Sequence, residues 1–348
     1  MRKILGVIGV GALLALAACS GSDSASVDTT DVKIESTEAA APVELTKMKL
    51  GLDWTWLAYH MPFEWALQNG YYEEIGIDLE ILEGQGSGNT VKFVATGEVD
   101  FGFADSSALV QAIAAGADIR NVAVIWQTAN FAMVCNPEVK VRVPKDLEGK
   151  SVLVIPSENV SAVMPVFFEQ NDVDIKKVKV LNADYTNKQA LFIEKKADCM
   201  AGVDGQDVLI VRYSRPDITD DDVMRWADFG TNAPGHGLVT SNSLIASKPD
   251  LVRGFVQASI RAWKEVCANE QIGIDLYLAK FPTASDNDKQ FAKDNLPYEC
   301  GKTKTADGTA FGPTDDAFWQ ALIDAQVRFN AMENAPTVEA VYTNEFLN

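Results

Sequence analysis

Residues 49–105 constrain the fold most, because short apolar runs there alternate with helical runs that end at glycine. Residues 49–53 form a short apolar run that reads as a strand. Residues 61–69 have helical spacing and stop at Gly70. Residues 77–82 alternate apolar and acidic side chains, the pattern of a strand with one buried face. The turn Gly84-Gln85-Gly86-Ser87-Gly88-Asn89 opens a helix ending at Gly97. Residues 100–104 read as a third strand, and Ser106-Ser107 start a helix ending at Gly116. Strands alternating with helices imply a mostly parallel sheet, and ligands of such sheets bind where strands hand over to helices.

A second set begins after Cys135. Strands are expected at 150–156, 178–181 and 197–203, with helices at 162–170 and 188–195. The polar turn from Ser157 to Ser161 precedes the first of these helices. Gly97-Glu98-Val99-Asp100 is echoed by Lys195-Lys196-Ala197-Asp198, which suggests two similar α/β lobes. After His236 a strand is expected at 238–241, then long helices including 249–268 and 318–332. Leu251, Phe255, Ala258, Ile260 and Trp263 are the candidate core positions of the 249–268 helix.

Several short pieces of the first segment resemble the NMT1/THI5-like family of substrate-binding proteins. They are Leu52-Asp53-Trp54-Thr55, His60 shortly after, Gly70-Tyr71-Tyr72, Gly76-Ile77-Asp78-Leu79-Glu80-Ile81 and Gly97-Glu98-Val99-Asp100-Phe101-Gly102. A fainter likeness continues through residues 144–150 and 248–252 to about residue 265. The resemblance implies a type II periplasmic binding protein fold: two α/β lobes joined by a hinge that the chain crosses twice. It places the first lobe at 47–134 plus 237–348 and the second at 135–236. It also implies a component of an ABC importer for thiamine-precursor pyrimidines, taurine, alkanesulfonates, nitrate or riboflavin, with a permease and an ATPase as partners.

The N-terminus reads as an export signal. Arg2-Lys3 precede an uncharged run from Ile4 to Ala18, too short to span a bilayer. Leu16-Ala17-Ala18-Cys19 looks like a bacterial lipobox, which implies removal of residues 1–18 and lipidation of Cys19. Residues 20–46 are polar and small, expected as a flexible linker to a membrane-anchored, exported domain. The formal charge of −19 argues against nucleic acid and anionic membrane surfaces as partners. Such acidity is commonly a solubility trait, and a monomer is the default for binding proteins of this kind.

Besides Cys19, the chain holds Cys135, Cys199, Cys267 and Cys300, in a compartment where disulfides form. Cys267 and Cys300 share one helical region and are the preferred pair; Cys135 and Cys199 sit in apolar strands and read as buried thiols. No CxxC or His-rich spacing marks a metal site, and no cofactor is expected.

The candidate ligand contacts follow the strand ends. Trp54, Trp56 and Tyr59 follow the first strand, where a planar ring would stack on them. In the thiamine-pyrimidine branch, Asp-Trp-Thr is followed by Pro-Asn-Thr-Asn-His. Here the run is Trp56-Leu57-Ala58-Tyr59-His60, which keeps the His and replaces the polar residues. His60 either contacts a ring nitrogen or caps the helix that follows, and His236 lies near the expected crossover. Ser87, Asn89, Asp105, Ser106 and Ser157 precede helices, whose free N–H groups hold anions or carbonyl oxygens. Ordinary N-capping explains the same residues. Asp105 would instead pair with a ring amino group; Asp184, Tyr185 and Asp204 follow strands of the second lobe. No Arg or Lys stands at an expected strand end, which weakens sulfonate and nitrate as ligands.

A small heteroaromatic solute such as a thiamine-precursor pyrimidine is therefore the expected ligand, ahead of a sulfonate, nitrate or a flavin. A catalytic role is disfavoured. The pyrimidine-synthesising branch of the family carries a CCCFC run that is missing here, and no GxSxG elbow is present. A sensor that reports ligand occupancy to a receptor has the same sequence signature as an importer component.

Overall fold

The computed structural model describes residues 45–156, 158–231, 233–305, 308–329 and 332–348. The expected export signal, Cys19, nearly all of the expected linker and Ser157 lie outside the described residues.

The first sheet is built by β1 (Thr46–Gly51), α1 (Met61–Gln68), β2 (Ile77–Leu82), α2 (Ser87–Thr96), β3 (Phe101–Asp105), α3 (Ser106–Ala114) and β4 (Ile119–Val124). The chain then builds a second sheet with β5 (Phe131–Cys135), β6 (Ser151–Val154), α4 (Asn159–Gln170), β7 (Lys179–Asn182), α5 (Lys188–Ile193), β8 (Cys199–Val203), α6 (Leu209–Ser214) and β9 (Val223–Arg225). β10 (His236–Ser241) returns to the first sheet, and the helices α7 (Asn242–Ser247), α8 (Pro249–Ala268), α9 (Gln271–Lys280), α10 (Asp286–Gly301), α11 (Asp316–Phe329) and α12 (Val338–Val341) follow.

The two sheets repeat one plan. Their strand orders are β2-β1-β3-β10-β4 and β7-β6-β8-β5-β9. β1 lies parallel to β2 and β3, and β6 lies parallel to β7 and β8. The fourth strand of each sheet, β10 or β5, is antiparallel to both neighbours and is the one that arrives from the other sheet. Residues 125–130 and 226–235 carry the chain between them.

Local chemistry explains where the helices stop and start. Gly97 ends α2 with a left-handed φ of 75°, a conformation that costs other residues a clash at Cβ. Asp105 caps α3 by accepting from the Ser107 N–H, and Ser285 caps α10 by accepting from the Asp288 N–H. α8 buries a continuous stripe of Val252, Phe255, Val256, Ser259, Ala262, Trp263 and Val266 against the first sheet's core. Of the expected core positions there, Phe255, Ala258, Ile260 and Trp263 are buried and Leu251 is half-buried. β4, β5 and β9 are not separable in the sequence pattern: their apolar runs merge into the crossovers beside them.

α10 and α11 touch both sheets' surroundings. Asn295 Nδ2 donates to the Gly205 carbonyl, Tyr298 Oη to Asp204, and Tyr213 Oη to Asp294. α11 packs against both α3 and α4.

Cys267 and Cys300 are bonded and tie α8 to α10. The expectation of free thiols at Cys135 and Cys199 is corrected: these two form a second disulfide. They are register partners on antiparallel β5 and β8, and their Cα atoms lie 4.0 Å apart. Among the described residues, no helix is long and apolar enough to cross a membrane.

Candidate functional site

The C-terminal ends of all the parallel strands converge on one cavity of about 250 Å³. In each sheet a central strand has neighbours reached by connections of opposite direction, so the loops leaving it diverge and open a crevice. From the first sheet come Asp53 and Trp54 after β1, Ser87 after β2, and Asp105 at the end of β3. From the second come Glu158 after β6, Tyr185 and Gln189 after β7, and Asp207 after β8. Trp126 and Asn130, in the first crossover, and His236, which opens β10, line it between the two sheets. The Trp54 and Tyr185 ring centroids are 5.6 Å apart, so the two sheets meet there through aromatic contact.

On the first sheet's side, Asp53 is the hub. His60 Nδ1 accepts from the Leu57 N–H at 3.0 Å, which leaves Nε2 to carry the proton and donate to Asp53 Oδ1 at 2.7 Å. Tyr59 Oη donates to Asp53 Oδ2 at 3.1 Å, and His236 Nε2 lies 3.1 Å from the same oxygen. Burial opposes ionisation of Asp53, but the charge of His236 and hydrogen bonds from His236 and His60 hold it well below the usual carboxylate range. Burial likewise opposes the His236 cation, but Asp53, Asp105 and Glu299 raise its pKa above the ordinary value. Ser87 Oγ accepts from the Asp105 N–H at 3.0 Å. Burial raises the Asp105 carboxyl, with His236 and the Ser107 N–H opposing.

On the second sheet's side, Lys188 is fully buried and its ammonium donates to both oxygens of Glu158, at 2.7 and 2.9 Å, and to Asp207 Oδ2 at 3.1 Å. Asp207 also accepts from the Val203 N–H at 2.8 Å and from Gln189 Nε2 at 2.6 Å. A widened π-type turn, Asp204–Val208, carries Asp207 back toward the end of β8. Burial pushes Glu158 up to about 7, with Lys188 opposing and the like charge of Asp207 adding to the shift. Burial opposes the Lys188 charge, but Asp207 and Glu158 hold its pKa above the usual lysine value.

Of the residues expected at the site, Trp54, Tyr59, Ser87, Asp105, Tyr185 and His236 line the cavity. The others do not. His60 is buried behind Asp53, and Ser106 is buried with its Oγ donating to the Gly235 carbonyl at 2.7 Å. Asn89 is exposed and donates to the Gln85 carbonyl within its own turn. Trp56 turns away to the α9 side, where the Lys280 ammonium sits 4.3 Å from its ring centroid. Asp184 is exposed and accepts from Thr186 and Asn187, an ordinary turn cap. Asp204 is buried but spends its carboxylate on Arg225 and Tyr298. Unforeseen at the cavity are Asp53, Trp126, Asn130, Glu158, Gln189 and Asp207. The strand-end rule itself marks Asp53, and Glu158 lies in the polar turn already singled out; nothing local marks Asp207. No group of His, Cys, Asp or Glu among the described residues is arranged to hold a metal ion.

With this geometry in view, comparison with known proteins is decisive for the family. The profile of the NMT1/THI5 like family matches residues 57–271. The chain belongs to that family. It is 24% identical to the riboflavin-binding protein RibY of Chloroflexus aurantiacus, over 98% of this chain and 96% of that one. Among solved structures it is similar to the periplasmic aliphatic sulphonate binding protein SsuA from Escherichia coli, with TM-score 0.67 and 13% identity over 86% of this chain and 92% of that one. It is also similar to the periplasmic nitrate-binding protein NrtA from Synechocystis PCC 6803, with TM-score 0.58 and 12% identity over 87% and 88%. This family member therefore has the type II periplasmic binding protein fold, as its sequence leads one to expect.

Proposed function

We infer that this NMT1/THI5-like protein is the solute-binding component of an ABC importer and takes a small heteroaromatic solute, such as a thiamine-precursor pyrimidine, between its two lobes. The observation that carries this reading is the pairing of Trp54 from one sheet with Tyr185 from the other across a single cavity. A flat ring held by both would favour the closed arrangement through its contacts with each lobe. The solute would then pass to a permease and its ATPase, and Cys19 would tether the exported protein to the membrane.

An anionic solute such as a sulfonate or nitrate fits less well. Lys188, which sits behind the lining residues Glu158 and Asp207, is already engaged by both of their carboxylates. A flavin is the second reading, favoured by the name of the RibY relative; a cavity of about 250 Å³ suits a smaller ring system better. Catalysis by Ser87, His236 and Asp53 is disfavoured by geometry. Ser87 Oγ, at 3.5 Å, and Asp53 Oδ2, at 3.1 Å, face the same His236 nitrogen, so the ring cannot relay a proton between them.

A thermal-shift screen of the protein with aminopyrimidines, riboflavin, taurine, longer alkanesulfonates and nitrate tests the reading. Ligand at about 100 times its Kd adds about 2.7 kcal/mol of stability. Stabilisation by aminopyrimidines supports it; stabilisation by sulfonates or nitrate alone refutes it.

A further inference from the structure

We propose that the solute carries positive charge: the cleft takes a cationic nitrogen heterocycle whose protonated amine or amidine edge meets Glu158. The inference rests on the cavity between the sheets being the solute site.

Charge around the cavity is the first argument. Asp53, Asp105, Glu158 and Asp207 line it, against His236. On the first sheet's side the carboxylates have partners of their own: Asp53 is held by His60, His236 and Tyr59, and Asp105 by the Ser107 N–H. On the second sheet's side two carboxylates share one ammonium, that of Lys188. Asp207 is further satisfied by Val203 and Gln189, whereas Lys188 is the hydrogen-bond partner Glu158 has for both its oxygens. The surplus negative charge therefore falls on Glu158, which retains partial exposure at 18% of its side chain and faces the cavity. A carboxylate oxygen accepts more than one hydrogen bond, so Glu158 has room for a donor from the ligand.

The second argument is independent of charge. The Trp126 side chain lines the same cavity and is 3% exposed, and its Nε1–H has no acceptor among the described residues. A buried donor without a partner is costly, and a ligand acceptor would relieve it. With Trp54, Tyr59, Phe131 and Tyr185 also on the walls, the cavity offers aromatic faces, which attract cations as well as flat rings.

Binding should also move a proton. The groups facing Glu158 are Lys188 on α5, Asp207 on the π-type turn and Tyr185 before α5, with Asp53, Asp105, Tyr59 and His236 across the cavity. Burial pushes the Glu158 carboxyl up to about 7, so a cation arriving beside it at neutral pH favours the carboxylate and expels a proton.

The test is calorimetry on the full-length protein with three probes that share one ring: benzamidine, benzamide and benzenesulfonate. Titrations at pH 7 in two buffers of different ionisation enthalpy read proton release. The expected result is benzamidine binding about tenfold or more tighter than either other probe, with proton release. In Glu158→Gln, which keeps the shape and the Lys188–Asp207 pair, the preference and the proton release should both disappear while benzamide still binds. Equal or tighter binding of benzamide or benzenesulfonate overturns the charge inference and leaves the aromatic-solute reading standing. An unchanged benzamidine preference in Glu158→Gln overturns the assignment to Glu158. Failure of all three probes to bind overturns the aromatic-cleft reading and this inference with it.

Discussion

The Lys188 ammonium is fully buried 2.7 Å from Glu158 Oε2 and 3.1 Å from Asp207 Oδ2, so a single cation holds together loops that follow β6 and β8. Removing one partner of a buried ion pair leaves the others uncompensated, at a cost of about 3–5 kcal/mol. Lys188→Met should therefore lower the unfolding free energy by about that amount. The loss should be smaller at pH 5 than at pH 8, because Glu158, already raised to about 7, takes up a proton when its cation is gone. Chemical denaturation at both pH values checks this; an equal loss at the two would mean that Glu158 does not titrate with Lys188.

The aromatic pair is tested from each lobe separately. Trp54→Ala and Tyr185→Ala should each weaken a ring-bearing ligand, because an aromatic contact contributes about 0.5–1.5 kcal/mol beyond its buried area. Trp56→Ala, on the α9 side of its loop, should leave affinity within about twofold. Titration calorimetry with the best aminopyrimidine from the screen reads all three. Loss at Trp56 equal to that at Trp54 would move the binding surface out of the cavity.

What the sequence shows and hides follows from range. β1, β2 and β3 are legible because each carries its own period and each following helix has its own cap or glycine stop, such as Asp105 and Gly97. Trp54 and Tyr185 are found by the strand-end rule, which needs only local order. Trp56 is misread because the path of the loop between β1 and α1 decides which indole faces the cavity, and no period governs a loop. Lys188 looks like any lysine at the start of a helix; its burial depends on Glu158 and Asp207, far apart in sequence. The Cys135–Cys199 bond hides for the same reason: it needs the β5–β8 register, which no local pattern gives.

Glu299 gives a pH dependence of stability with a definite sign. Its carboxyl is buried on α10 and accepts from Asn130 Nδ2 at 3.2 Å. Burial pushes its pKa up from 4.5 to about 8, with Lys302 and His236 opposing. The folded state therefore keeps a proton that the unfolded chain has released, and folding stability falls as pH rises between those values. The steepest slope from one such group is about 1.4 kcal/mol per pH unit. Glu299→Gln keeps a carbonyl for Asn130 and should remove this contribution, so the variant gains on the parent as pH rises from 5 to 8. Parallel denaturation curves at several pH values check it; a constant difference would show that Glu299 does not titrate in that window.

Gly202 links the second sheet's framework to the charge in the cavity. It lies in β8, and a Cβ there would meet Asp207 Oδ2 at 2.4 Å, closer than atoms can approach. The Asp207 carboxylate rests against a bare backbone, where it also accepts from the Val203 N–H at 2.8 Å. Gly202→Ala must displace that carboxylate, pulling it from Lys188 and from Gln189. The methyl lines no part of the cavity, yet ligand affinity should fall by about tenfold, because two charge-assisted contacts are strained together. Stability should fall by about 1–3 kcal/mol as well, the usual cost of overpacking. Asp207→Ala in the Gly202→Ala background separates the two causes. If the methyl acts through Asp207, it adds no further loss of affinity once the carboxylate is gone; additive losses would mean that Gly202 supports the site by another route.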